Sequence, residues 1–167
     1  SLFYQVCDWG IARPTQELVD LYPMVNGKSI DEPESGYDPN DPYADRDPRL
    51  YETVIVNGDV YRGRTAELWL GGRERTTLNV VRSGTGYRLR KFYLDGDWAT
   101  SRGSVIHWPY LRLPEVYLSY AEALNEVNGG PTPTAYEYLN KTRERVGVGP
   151  ARPGMTKEEF REEVLNE

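Results

Sequence analysis

From Leu111 onward the apolar positions follow a helical repeat. Tyr117, Tyr120, Ala121 and Leu124 stand at i, i+3, i+4 and i+7, so they share one face of a helix that has Pro114 in its first turn and stops at Gly129-Gly130. A second helix is predicted to open at Thr134, where Thr-x-x-Glu137 has the spacing of a capping box, with Ala135, Leu139, Thr142 and Val146 as its buried stripe and Gly147 as its stop. A third opens with Thr156-x-x-Glu159, and Met155 is placed to staple across that cap against Phe160. Before residue 110 the pattern is different. Gly, Pro and Asp break the chain into short pieces, and only Pro14 to Leu21 reads as a helix. Asp31 to Pro48 holds four Asp- or Glu-Pro steps, each pushing the residue before proline out of helical space, and is expected to be a long turn-rich surface loop. Thr53 to Val56, Asn57-Gly58 and Asp59 to Tyr61 together predict a hairpin closed by a tight Asn-Gly turn. Leu78 to Val81 and Tyr87 to Leu94 are weaker strand candidates.

This pattern divides the chain into a loop-rich region, 1–110, with a short helix and a small β-hairpin, and a helical region, 111–167. The fold class expected is mainly α with irregular insertions. Two helices joined by a Gly/Pro turn, with Tyr117-x2-Tyr120-Ala121-x2-Leu124 followed by Ala135-x3-Leu139, suggest one tetratricopeptide-like hairpin and the start of a third helix. One such unit cannot bury its own apolar face, because stacked neighbours normally cover it. Val164 and Leu165 keep the third helix apolar in its last turn. The chain therefore reads as a fragment of a larger protein.

Composition removes several classes. The 20 basic and 26 acidic residues of the 167 leave a net charge of −6, and the basic residues are scattered, so no field gathers a phosphate backbone. No stretch approaches the roughly 18 apolar residues of a membrane span. Cys7 is the one cysteine, which excludes an internal disulfide framework and cannot alone build a zinc site. The first residues show no targeting signal.

Tyr110-Leu-Arg-Leu-Pro-Glu-Val-Tyr-Leu-Ser-Tyr-Ala-Glu-Ala-Leu-Asn-Glu126, Leu139-Asn-Lys-Thr-Arg143 with Arg145-Val-Gly147, and Met155-Thr-x-x-Glu159-Phe resemble the SusD/RagB family of outer-membrane nutrient-binding lipoproteins. Pro14-Thr-Gln-Glu-Leu-Val-Asp-Leu-Tyr-Pro-Met24, Asn26-Gly27-Lys28, Arg46-Asp-Pro-Arg49 and Gly86-Tyr87 with Arg90-Lys91-Phe92 are similar to the same family in the same order. Pro114 departs from the pattern, standing where alanine is common, and the Glu-Arg-rich segment that follows the third helix in the family is missing. The resemblance implies a surface-exposed lipoprotein of the bacterial outer membrane, held by a lipidated cysteine outside this sequence. Such a protein binds an oligosaccharide or similar nutrient and delivers it to a TonB-dependent transporter. It also implies a scaffold of four helical repeats, of which Arg112 to Val146 would be one, with the ligand site on loops and insertions.

A glycan site needs flat aromatic platforms with hydrogen-bonding groups at the rim, and Tyr and Trp supply both. The chain has 13 Tyr, 4 Trp and 3 Phe, which makes the aromatic count informative chiefly through its tyrosines. Tyr117, Tyr120 and Tyr136 lie in helices and read as packing residues. Tyr37, Tyr43, Tyr61, Trp69 and Trp98 lie in polar or Gly-rich contexts and are the candidate ligand-binding residues. The acidic run Asp31, Glu32, Glu34, Asp38, Asp41, Asp45 and Asp47 lacks the glycine and the closing glutamate of a calcium loop, so no metal or cofactor is assigned. Arg46-Asp47-Pro48-Arg49 is read as fixing a turn ahead of the hairpin. His107 is the single histidine, and no nucleophile elbow, zinc pair or phosphate loop accompanies it. Glu115 and Glu122, two helical turns apart, read as surface contacts rather than a glycosidase pair. The expectation is a non-catalytic binding protein; the alternative is a helical-repeat module that grips another protein without touching glycan.

Overall fold

The computed structural model describes residues 13–61, 63–75, 85–91 and 109–167. The strand candidate Leu78 to Val81, the latter part of Tyr87 to Leu94, Cys7, Trp98 and His107 lie outside the described residues. Two compact units emerge, one of residues 1–20 and 49–107, the other of residues 21–48 and 108–167.

In the first unit, α1 (Gln16–Leu21) begins two residues later than Pro14 because Thr15 acts as its cap. The Thr15 hydroxyl oxygen accepts the Leu18 N–H at 3.2 Å, and Gln16 donates to Asp20 one turn on at 2.8 Å. α2 (Pro48–Thr53) opens on a proline, whose missing N–H has no partner to lose there, and buries Leu50 completely. It runs straight into β1 (Val54–Ile55).

The predicted Asn-Gly hairpin does not form. β1 pairs antiparallel with β4 (Arg88–Leu89), Val54 opposite Leu89, while β2 (Val60–Tyr61) pairs with β3 (Arg64–Thr65). The turn itself is present, with the Asp59 N–H on the Val56 carbonyl at 3.3 Å and Gly58 at φ +87°. Asn57, however, is not in the left-handed region. A turn with one positive φ at its third position is of type II, which splays the flanking strands, whereas both two-residue hairpin turns need positive φ at the first central residue, here Asn57. Asn57 has another task, accepting the Leu68 N–H on Oδ1 at 3.0 Å. Ile55, Tyr61, Ala66 and Leu68 form the small core beneath this turn.

The second unit is a helical hairpin followed by a third helix. α3 (Leu113–Asn128) carries Pro114 in its first turn and ends as expected at Gly129, whose φ of +71° lets its N–H return to the Asn125 carbonyl. α4 (Pro133–Glu144) corrects the expected start. Thr132, not Thr134, is the cap, its side chain accepting the Ala135 N–H at 3.2 Å, because Pro133 takes the first helical position and fixes the register. The helix also stops before Val146. α5 (Lys157–Asn166) has both hydrogen bonds of the Thr156/Glu159 capping box, with Met155 and Phe160 together in the core beside Ala121, Ala135, Leu139, Ala151 and Val164.

Buried polar groups lock these helices. The Arg143 guanidinium, 4% exposed, donates to Glu167 at 2.8 Å and pairs with Glu163, while the Thr142 hydroxyl donates to Glu167 at 2.9 Å. The turn-rich loop 21–48 is fastened in the same unit. Arg46, 3% exposed, donates to the Pro42 carbonyl at 2.9 Å and the Tyr22 carbonyl at 2.7 Å, and Asp47 donates its N–H to the Pro23 carbonyl. The Arg46-Asp47-Pro48 motif is thus structural, and it leads into α2 rather than into a hairpin. The chain is mainly α, with the short strands confined to the first unit.

Candidate functional site

The best-built exposed feature of the first unit is the loop from Glu67 to Arg75. Its organiser is Glu74, a buried carboxylate. Oε1 accepts the Arg64 guanidinium at 2.7 Å and Oε2 accepts the Glu67 backbone N–H at 2.7 Å. The Glu74 carbonyl in turn accepts Arg88 at 3.0 Å, tying the loop to β4. Burial would raise the Glu74 carboxyl, but the Glu67 N–H and the Arg64 guanidinium outweigh it and hold it below the ordinary carboxylate range.

The rest of the loop closes around this point. Glu67 accepts the Arg73 N–H at 3.1 Å, the Gly72 N–H reaches the Trp69 carbonyl at 2.9 Å, and the Glu74 N–H reaches the Glu67 carbonyl at 3.2 Å. Gly72 is required by space, since a Cβ there would stand 2.4 Å from the Glu67 carbonyl oxygen. Trp69 rides on top of this frame with 51% of its surface exposed, next to exposed Leu70. An indole held out by a stapled backbone has an apolar face and a polar N–H edge available to a ligand, and little backbone freedom left to lose on binding.

The other predicted aromatics are placed differently. Tyr61 is 4% exposed, in the core beneath the loop with the Arg88 guanidinium 5.6 Å from its ring centre, so it supports the loop rather than meeting solvent. Tyr37 and Tyr43 belong to the second unit and are half-buried, Tyr37 under the Arg46 guanidinium at 5.6 Å. Trp98 lies outside the described residues.

Reasoning from sequence missed two aromatic features and one acid. Tyr110 is almost fully exposed just ahead of α3, and its only signal was its place after Pro109. Tyr117, Tyr120 and Tyr138 pack edge to face, with ring centres 5.4 and 4.9 Å apart, and the Lys141 ammonium sits 4.0 Å over Tyr138. Glu137 accepts from Lys141 at 2.9 Å and raises its pKa above the usual lysine range. Tyr138 lies outside the Ala135, Leu139, Thr142 and Val146 stripe and was not singled out. Glu74 carried no signal at all, being one acid in a Gly- and Arg-rich run.

Among the described residues no three His, Cys, Asp or Glu side chains gather as a metal site. The acidic loop uses its carboxylates locally, Asp38 accepting from the Asn40 N–H at 2.8 Å. Glu115 and Glu122 border a groove of about 370 Å³ between α3 and α5, with Arg112, Leu118, Val164 and Leu165.

Comparison with known proteins agrees with this architecture. The sequence profile of the SusD family matches residues 5–167. The crystal structure of a SusD-like carbohydrate-binding protein from Bacteroides fragilis is similar, with 26% identity and a TM-score of 0.68. The match covers 95% of this chain and 32% of that one, so the chain spans about a third of the relative's length. No curated protein gives a significant match.

Proposed function

The chain belongs to the SusD family, and from that premise we propose that it is part of a larger, non-catalytic protein that binds glycan at the bacterial outer membrane and hands it to a TonB-dependent transporter. Its similarity over only 32% of a carbohydrate-binding relative supports a longer whole. In this reading a lipid anchor holds the protein at the surface; no helix of the described residues is long and apolar enough to cross a membrane.

The observation that carries the glycan reading is Trp69 on its Glu74-stapled loop. A pyranose ring presents an apolar C–H face that stacks on an indole, while its hydroxyls seek hydrogen-bonding partners at the rim. Preorganisation matters here because a sugar offers few strong contacts, and any ordering of the loop on binding would subtract from them. Tyr37, Tyr43 and Trp98 remain candidates for further contacts. Tyr61 acts from below.

The test is calorimetric titration of the full-length protein with a broad panel of neutral oligosaccharides. A bound glycan should lose about tenfold or more in affinity on Trp69→Ala, with the melting temperature unchanged. Equal affinity of the variant would remove Trp69 from the site, and failure of every glycan on the panel would overturn the reading.

A further inference from the structure

Asn57 holds an unused hydrogen-bond donor beside the Trp69 loop. Its Oδ1 accepts the Leu68 N–H at 3.0 Å. A backbone N–H can be met only by the oxygen of a side-chain amide, so this bond fixes which way round the amide lies. Nδ2, with two donor hydrogens and no acceptor, is left on the other side. Asn57 is exposed, and among the described residues Nδ2 has no hydrogen-bond partner.

The turn that carries Asn57 is as firmly built as the loop. The Gly58 N–H reaches the Ala66 carbonyl at 3.0 Å, and the Ala66 N–H reaches the Asp59 carbonyl at 2.7 Å. The amide and the indole therefore belong to one stapled frame, in which Asn57 is bonded to the residue directly before Trp69. Little of that frame has to be ordered when a ligand arrives.

The chemistry of these groups selects among sugars. Between residues 64 and 74 the charged side chains are Arg64, Glu67, Arg73 and Glu74, two of each sign, so the loop presents no net charge to a uronate or a sulfated sugar. A hydroxyl both donates and accepts, whereas a carbonyl oxygen only accepts and is the closer complement of a group that only donates. Leu70, 83% exposed, follows Trp69, so the apolar surface extends beyond the indole. An acetamido group has a carbonyl for Nδ2 and a methyl for Leu70, on a ring whose C–H face stacks on the indole.

We propose that Asn57, Trp69 and Leu70 make this loop selective for neutral sugars bearing an N-acetyl group, with Asn57 Nδ2 donating to the acetamido carbonyl. The proposal rests on the reading of Trp69 as a glycan platform and names the class of sugar that the platform takes.

Two pairs of oligosaccharides differ in that group alone: chitotetraose against cellotetraose, and N-acetyllactosamine against lactose. In calorimetric titration of the full-length protein, the acetylated member should bind about tenfold or more tightly in at least one pair. Asn57→Asp is the discriminating variant. A carboxylate oxygen still accepts the Leu68 N–H, so the melting temperature should hold, but the carboxylate has no donor for the carbonyl. The two members of the pair should then bind within about twofold of each other. Equal or reversed affinities within the pairs overturn the proposal, as does a preference that survives Asn57→Asp in a folded variant, or binding of another neutral glycan with none of these four. The comparison within pairs uses the unsubstituted protein and stands whether or not the variant folds. Trp69→Ala separates the two levels. If it weakens the bound glycan while the pairs are equal, the platform stands and the N-acetyl assignment falls; if it changes nothing, the platform itself is refuted.

Discussion

Gly27 and Gly149 meet backbone to backbone. Gly149 donates its N–H to the Val25 carbonyl at 2.8 Å, and a Cβ on Gly149 would stand 2.1 Å from the Asn26 carbonyl oxygen, while one on Gly27 would stand 2.6 Å from the Gly149 oxygen. This contact fastens the turn-rich loop to the segment between α4 and α5. It explains why a loop with so few apolar residues holds its shape.

The two glycines are needed for different reasons, which alanine can separate. Gly149→Ala meets backbone that cannot rotate aside and should destabilise by about 1–3 kcal/mol through overpacking. Gly36 has φ +84° and open space around it, so Gly36→Ala should cost about 1–2 kcal/mol from left-handed strain alone. Gly27, at φ +87°, combines both penalties and should be the worst of the three. Urea denaturation of the set would show the order Gly27, then Gly149 or Gly36, with Gly130→Ala near neutral because neither strain nor contact applies.

The helix caps give a second test. Thr156→Ala and Thr132→Ala each remove a hydroxyl that accepts a backbone N–H and should each cost about 1 kcal/mol, whereas Thr134→Ala, already inside α4, should change little. A loss of stability at Thr134 equal to that at Thr132 would contradict the observed register.

Those caps mark how far the sequence could be read. The three helices were legible because their apolar spacing, Gly129 and the Thr156/Glu159 box all point to the same boundaries. Thr134 misled because two threonines flank Pro133, and the capping-box spacing favoured the wrong one; the proline's place at the first helical position decides between them. The Asn57-Gly58 signal was a true turn but a false hairpin. Its type depends on the φ of Asn57, and that is set by the Leu68 N–H arriving from eleven residues away. Long-range demands of this kind are invisible to a local pattern.

Arg143 illustrates the same point in the core of the second unit and carries its own prediction. The motif around it was recognisable, but its partners Glu163 and Glu167 lie 20 and 24 residues on. Arg143→Ala would leave two carboxylates without their cation, one of them with a side chain only 1% exposed, and should cost about 3–5 kcal/mol. Arg143→Lys should recover only part of this, because an ammonium cannot reproduce the fork that reaches both acids. Thermal melting of the three proteins would check both statements.

The candidate site was less legible than the fold. Loop aromatics could be recognised by type, yet Tyr61 and Trp69, eight residues apart in similar surroundings, end on opposite sides of one backbone, one in the core and one in solvent. Tyr61 packs with Ile55, Ala66 and Leu68, whereas Trp69 lies on the loop that Glu74 fastens through Arg64 and the Glu67 N–H.

Glu74 therefore makes the loop sensitive to pH in a defined direction. Its carboxyl lies below the ordinary glutamate range in the folded protein, so its contribution is complete above the ordinary value and disappears as pH falls through the lower, folded one. Between pH 7 and 5 the loop should be unaffected. Below about pH 4.3, the ordinary glutamate value, the Glu67 and Gly72 amides should begin to exchange faster with solvent, and any glycan held by Trp69 should dissociate with them. Glu74→Gln should impose part of that loss already at pH 7, about 1–2 kcal/mol for the charge-assisted bonds to Arg64 and the Glu67 N–H, and should flatten the acid dependence. Hydrogen exchange of both proteins from pH 7 to 3.5, corrected for intrinsic rates, measures this. Parallel profiles for the two would mean that another group controls the loop.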